Sequence, residues 1–266
     1  MRDFFPELKR RDRLLFAAGS FQMILFCGAL VASFVDPRTV LGANTWIKPM
    51  KFSLSVGVYI WTIAWFIGYL HGRPRWVIAL IRWGITLSML IEMTCIFLQA
   101  ARGTPSHFNV STGLDGTIFA LMGIMIGINM VLVFILLVTL FLRRLDLAPV
   151  YLWSIRLGIL VFFLGSWIGS VMIGQMSHAV GVADGGPGLP LLGWSTTGGD
   201  LRIAHGLGLH ALQLIPLCGY ALTLLPASVG TARRIAALSG ATVLYAGATV
   251  LLYLQAQAGL PLLAGG

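Results

Sequence analysis

Residues 116–142 read GTIFALMGIMIGINMVLVFILLVTLFL, an unbroken run without one charged side chain, preceded by Asp115 and followed by Arg143 and Arg144. A helix rises about 1.5 Å per residue, so roughly 20 apolar residues cross a hydrocarbon core of about 30 Å. No water is available there to satisfy backbone N–H and C=O groups, so such a run spans as a helix. Six further runs of the same kind flank it, at about 14–35, 49–70, 76–101, 150–179, 203–225 and 232–257. The expected fold class is therefore all-α, a polytopic seven-transmembrane-helix bundle, with residues 1–266 forming a single integral membrane domain.

Composition agrees. The chain is 58% hydrophobic and 10% charged, with mean hydropathy +0.89, whereas soluble domains carry about a quarter charged residues. The formal net charge is +9. The basic residues lie scattered between apolar spans rather than in one patch, which argues against a nucleic-acid partner and for the lipid bilayer. Cys27, Cys95 and Cys218 lie inside apolar runs without CxxC spacing and read as small buried side chains. The amino-terminal MRDFFPELKRRDR leads into a long span rather than a short apolar region with a cleavage site, so it reads as a retained first helix.

Lys and Arg are unevenly shared between the two sides that seven spans define. Thirteen fall on the side of the amino terminus (Arg2, Lys9, Arg10, Arg11, Arg13, Arg73, Arg75, Arg82, Arg143, Arg144, Arg156, Arg233, Arg234) and five on the other (Arg38, Lys48, Lys51, Arg102, Arg202). The positive-inside rule then makes the amino terminus cytoplasmic and the carboxyl terminus outward-facing. The outer connections, chiefly 103–115 and 180–199, are long and rich in turn-forming residues, which directs attention outward. No internal repeat supports an inverted-repeat transporter. Gly123 with Gly127, and Gly165 with Gly169, have the small-xxx-small spacing of close helix contacts.

Polar residues collect on the outer side. Span two opens with Asn44, Trp46, Lys48 and Lys51, and span three ends with Glu92, Gln99 and Arg102, followed by Ser106, His107 and Asn109. Gln175 and His178 close span five, and Asp200, Arg202, His205, His210 and Gln213 open span six. At about 100° per residue Glu92 and Gln99 share a helix face, and His205, Gln213 and His210 fall within about 140° of one another. If spans three, five and six are neighbours, these faces line one outward-opening cavity. Lys48, Lys51, Arg102 and Arg202 also suit interfacial anchoring. Glu92 lies about ten residues inside its span, where a carboxylate costs several kcal/mol unless paired or protonated. His210 lies roughly 7.5 Å deeper than His205. Glu92 and His210 are thus the candidate catalytic groups. His71 reads as part of a basic turn.

Three chemistries suit this set, and whether the chain is an enzyme stays open. The first is redox or cofactor binding, an oxidoreductase role: His178 with His205 or His210 as axial ligands of haem b, and Arg102, Arg202, Lys48 and Lys51 at the propionates. A quinone suits the same pocket, with Gln99, Asn109, Gln175 and Gln213 as further lining. The second is a metal-dependent membrane hydrolase of a lipid-like substrate, drawing ligands for a divalent metal from His107, His205, His210, Glu92 and Asp200. The five-residue step from His205 to His210 matches no HExxH or HxxxH motif. The third is binding or transport of a small anionic molecule or lipid, given the local excess of positive charge.

The blocks NTWIKPMKF (44–52), QAARGTPSHFN (99–109) and GGDLRIAHGLGLHALQ (198–213) resemble those of uncharacterised multi-pass bacterial membrane proteins, over most of the chain. The resemblance implies a bacterial inner membrane, with the outer side periplasmic. It implies no activity and no oligomeric state.

Overall fold

The computed structural model describes residues 4–70, 74–142 and 145–263. Among them seven helices are long and apolar enough to cross a membrane, so the chain is a predominantly helical multi-pass membrane protein. Large apolar side chains such as Phe34, Leu142, Val243 and Leu244 are exposed, a surface suited to lipid rather than water. His71, read from sequence as part of a basic turn, lies outside the described residues. The chain divides into two compact units, residues 1–143 and 144–266.

The first unit begins with α1 (Phe4–Arg11), a short helix distinct from α2 (Arg13–Val35). Asp12 separates them, its backbone extended and its carboxylate accepting the Leu15 N–H at 2.9 Å, an N-cap that satisfies an orphan donor. Arg11 ties α1 down: its guanidinium lies 4.1 Å from the Trp65 ring centroid and donates to the Trp65 carbonyl at 2.9 Å. A hairpin follows, β1 (Thr39–Val40) against β2 (Ala43–Asn44). Its turn residues Leu41 (φ 51°) and Gly42 (φ 75°) both lie at positive φ, as two-residue turns between twisted strands require.

Helix α3 (Ile47–Ile67) packs on α2, where a methyl group added at Gly19 would sit 2.3 Å from the Trp61 indole nitrogen. Helix α4 (Arg75–Arg102) ends at Gly103, whose left-handed φ of 69° lets the chain turn away. Helix α5 (Gly113–Leu142) is started by Thr112, whose hydroxyl accepts the Asp115 N–H at 3.1 Å and donates to the Asp115 carboxylate at 2.6 Å. Helix α5 packs mainly on α4, so both sides of the 103–112 connection are anchored.

The second unit holds α6 (Pro149–Gln175), the strand pair β3 (Ala179–Val180) and β4 (Gly199–Asp200), α7 (Leu201–Thr223) and α8 (Thr231–Gln257). Helices α6 and α7 meet along glycine. A methyl at Gly208 would lie 2.4 Å from the Gly165 Cα, and one at Gly169 would lie 2.9 Å from the His205 ring. The partner of the Gly165/Gly169 pair is therefore α7. Gly123 and Gly127 on α5, by contrast, face no atom within 4 Å. The fifth span was expected to reach residue 179, but α6 stops at Gln175 because Met176 takes a left-handed φ of 55° and the chain turns into β3. Strand β4 then rests on the end of α8, so tightly that a methyl at Gly199 would overlap the Ala256 carbonyl.

Candidate functional site

The candidate residues divide between the two units, and each unit gathers its own polar cluster. In the first, Lys48 comes from the opening turn of α3, Glu92 from the interior of α4, and His107 from the connection between α4 and α5. The Lys48 ammonium lies 3.1 Å from His107 Nδ1, the Ser106 hydroxyl lies 3.1 Å from the same nitrogen, and His107 Nε2 lies 3.7 Å from Glu92 Oε1. An ammonium can only donate, so Nδ1 accepts and the ring proton sits on Nε2, facing the carboxylate. Phe52, Phe108 and Phe119 surround the imidazole, with ring centroids 5.6, 6.1 and 6.4 Å away. Glu92 is only 2% exposed, and its second oxygen, Oε2, is buried without a hydrogen-bond partner among the described residues. An unsatisfied buried acceptor costs about 1–3 kcal/mol, so it marks a place for a proton or a donor.

Other candidates of this unit turn out to build its loops. Arg102 donates to Asp115 at 2.6 Å and also to Gln99, and Gln99 donates to Asp115 at 2.9 Å. Asn109 donates to Thr104 and Pro105, each at 3.0 Å, and accepts from Ser111. These contacts close on themselves and hold the 103–115 segment in shape around His107. Lys51 is half-buried one turn along α3 from Lys48. Between α2 and the first strand pair, Asp36 receives Arg38 and the Trp46 indole N–H at 2.8 Å, which hold its carboxyl well below the usual carboxylate range.

In the second unit His178 sits just past α6, its Nδ1 3.1 Å from Asp184, while its carbonyl accepts the Leu201 N–H at 2.9 Å. His205 is one turn into α7 and donates from Nδ1 to the Gly165 carbonyl at 2.8 Å, in the cradle left by Gly169. The sequence placed His205, His210 and Gln213 on one broad face. In the fold His205 turns to α6 and His210 is exposed, because a five-residue step is about 140° and carries the second ring off the packed side. Gln213 is half-buried, and Gln175 is exposed, donating to the Ser177 carbonyl at 2.9 Å.

Asp200 caps α7, accepting the Arg202 N–H at 3.1 Å, the Ser195 N–H at 2.9 Å and the Arg202 guanidinium at 2.5 Å. Burial opposes its charge, but these donors outweigh burial and lower its pKa. A depressed carboxylate contributes stability above the ordinary value of about 3.9, and that contribution disappears as pH falls through the lowered one. Asp200→Asn keeps a capping side chain and removes the charge. It is expected to lower the unfolding temperature at pH 7, with the gap to the wild type closing as pH falls through the lowered carboxylate pKa. Equal unfolding temperatures at pH 7 would remove Asp200 as a stabilising charge.

The five residues considered as metal ligands fall on both units: Glu92 and His107 in the first, Asp200, His205 and His210 in the second. Among the described residues no group of three His, Cys, Asp or Glu side chains is placed to hold a metal ion. What sequence reasoning missed were the acids at span ends, Asp36, Asp115 and Asp184. The chain has nine acidic residues in all, so an acid beside a turn was itself a signal that a loop is pinned there. The phenylalanines around His107 carried no signal, since Phe is common in any apolar span. Comparison with protein-family models, with curated proteins and with solved structures finds no match to this chain.

Proposed function

We propose that the chain is a bacterial inner-membrane protein that binds a quinone-type redox headgroup through Lys48, His107 and Glu92. The thirteen-to-five division of Lys and Arg supports a cytoplasmic amino terminus and a periplasmic carboxyl terminus. Protease removal of a carboxy-terminal tag from the periplasmic face of spheroplasts checks that orientation; a protected tag reverses it.

One observation carries the ligand reading. Three ionisable side chains from separate segments meet among Phe52, Phe108 and Phe119, and one buried carboxylate oxygen has no partner among the described residues. A quinone headgroup is a flat ring with carbonyl acceptors, and reduction turns these into hydroxyl donors. The Lys48 ammonium suits the carbonyl, Glu92 Oε2 suits the hydroxyl, and the phenylalanines suit the ring face. A separate electron-carrier protein would exchange the electrons, while this chain holds the ring and handles protons.

The test is titration of decylubiquinone into the detergent-purified protein, followed by tryptophan emission. Saturable quenching is expected, with His107→Ala and Glu92→Gln each binding at least about tenfold more weakly, or about 1.4 kcal/mol. Absence of saturation, or unchanged affinity in both variants, overturns the reading.

A second reading is supported by His205. Its Nδ1 proton on the Gly165 carbonyl leaves Nε2 as a lone-pair donor, the arrangement that orients ligand histidines. His205 would hold haem b through Nε2, and the haem would supply one-electron chemistry there. His210 is exposed and His178 faces Asp184, which favours His205 as the ligand in this reading. Optical spectra of the same sample after haemin addition, oxidised and dithionite-reduced, decide it. A Soret band lost in His205→Ala supports haem, and no Soret band removes it.

A further inference from the structure

We infer that Lys48, His107 and Glu92 form a proton relay that loads the buried Glu92 carboxylate from the loop end of the first unit. Exposure falls along the chain of groups: the His107 side chain is 23% exposed and that of Glu92 is 3% exposed. Lys48, half-buried in the opening turn of α3, meets the ring nitrogen that is remote from Glu92. The direction is set by which atoms carry protons. Lys48 donates to Nδ1, so the only ring proton is on Nε2, and that proton faces Glu92 Oε1.

The transfer balances. A Lys48 N–H bond breaks as the His107 Nδ1–H bond forms, and the Nε2–H bond breaks as the Glu92 Oε1–H bond forms. Imidazole stays neutral with its proton now on Nδ1, and Lys48, left as the amine, takes a proton from water at the loop end, which leaves hydroxide to the solvent. Closing the 3.7 Å separation to hydrogen-bond length needs a side-chain shift of about 0.5 Å. Loading Glu92 discharges a carboxylate that lies inside a membrane helix, where charge costs several kcal/mol. The ionisable groups around Glu92 are few. Lys48 acts on it from α3 and His107 from the connection, Cys95 lies one turn along α4, and on α5 Asp115 is occupied by Arg102, Gln99 and Thr112. The relay needs no ligand, so it stands or falls separately from quinone binding.

Infrared spectroscopy of the ligand-free protein in lipid tests it. The C=O stretch of a protonated buried carboxyl is followed through a pH titration and after transfer to deuterium oxide. Glu92→Gln is expected to delete the band. His107→Asn is expected to keep the band and slow its deuterium shift at least about tenfold, as is Lys48→Arg. Arginine preserves the positive charge but does not release its proton, which separates relay from electrostatics and from misfolding. Gly127→Ala, at an open position of α5, should exchange like the wild type. A band that survives Glu92→Gln, or wild-type exchange in both His107→Asn and Lys48→Arg, overturns the relay. Loss of quinone binding with the band and its exchange intact would sink the ligand reading alone.

Discussion

Gly208→Val is expected to unfold the second unit or to lower its stability by about 3 kcal/mol or more, the upper end of what over-packing costs. The reason is that a Cβ at Gly208 meets backbone, not side chain: 2.4 Å to the Gly165 Cα and 2.8 Å to its nitrogen. Backbone cannot rotate away, so α6 and α7 must separate. Separation would also break the hydrogen bond from His205 to the Gly165 carbonyl and empty the Gly169 cradle. Gly165→Val should behave alike, since its Cβ would lie 2.6 Å from the backbone of Gly208 and Leu209. Gly123→Val and Gly127→Val on α5 carry the same change into open space and should stay within about 0.5 kcal/mol of the wild type. Thermal unfolding in detergent, with elution as a single monodisperse peak, reads all four. Stable Gly208→Val protein with intact elution would show that the α6–α7 seam is not packed backbone to backbone.

Lys48→Met is expected to destabilise the first unit by about 1–3 kcal/mol, and Glu92→Gln to recover much of that loss when combined with it. Methionine has nearly the length of lysine but no charge, so the change isolates the ammonium. Without it, the buried Glu92 carboxylate keeps, among the described residues, the partly exposed imidazole at 3.7 Å, while its Oε2 has no partner among them. Removing the charge of Glu92 as well removes the group that needed compensation, so the double variant should be more stable than Lys48→Met alone. The measurement is a double-mutant cycle of unfolding temperatures in one detergent. Strict additivity would mean that Lys48 and Glu92 do not act on each other, and the cluster would lose its electrostatic basis.

The membrane-spanning helices were legible because lipid imposes a rule that acts on composition alone: no water, hence long apolar helices. All seven observed helices coincide with expected runs to within a few residues. Where they depart the cause is local backbone geometry. Met176 ends α6 early by entering a left-handed conformation, and Asp12 divides α1 from α2 by capping. Glu92 was also legible, because a carboxylate deep in an apolar run is costly wherever its neighbours lie.

Which residues accompany Glu92 was not legible. Lys48 is 44 positions away in sequence and His107 is 15, and only the packing of α3 on α4 and the path of the α4–α5 connection bring both to it. Helical angles grouped His210 with His205, but an angle within one helix says nothing about which side a neighbouring helix covers. Glycine made that choice, since the Gly165–Gly208 contact brings α6 against the His205 side and leaves His210 outside it. Arg102 and Asp200 read alike as charged residues at span ends, yet one completes a loop network with Asp115 and the other caps α7. Sequence by itself determined the solvent, the helical class and the costly buried acid, because each follows from transfer of single groups into lipid. Partnership, tautomer and the unpartnered carboxylate oxygen were decided by tertiary structure, because each depends on distances between segments remote in the chain.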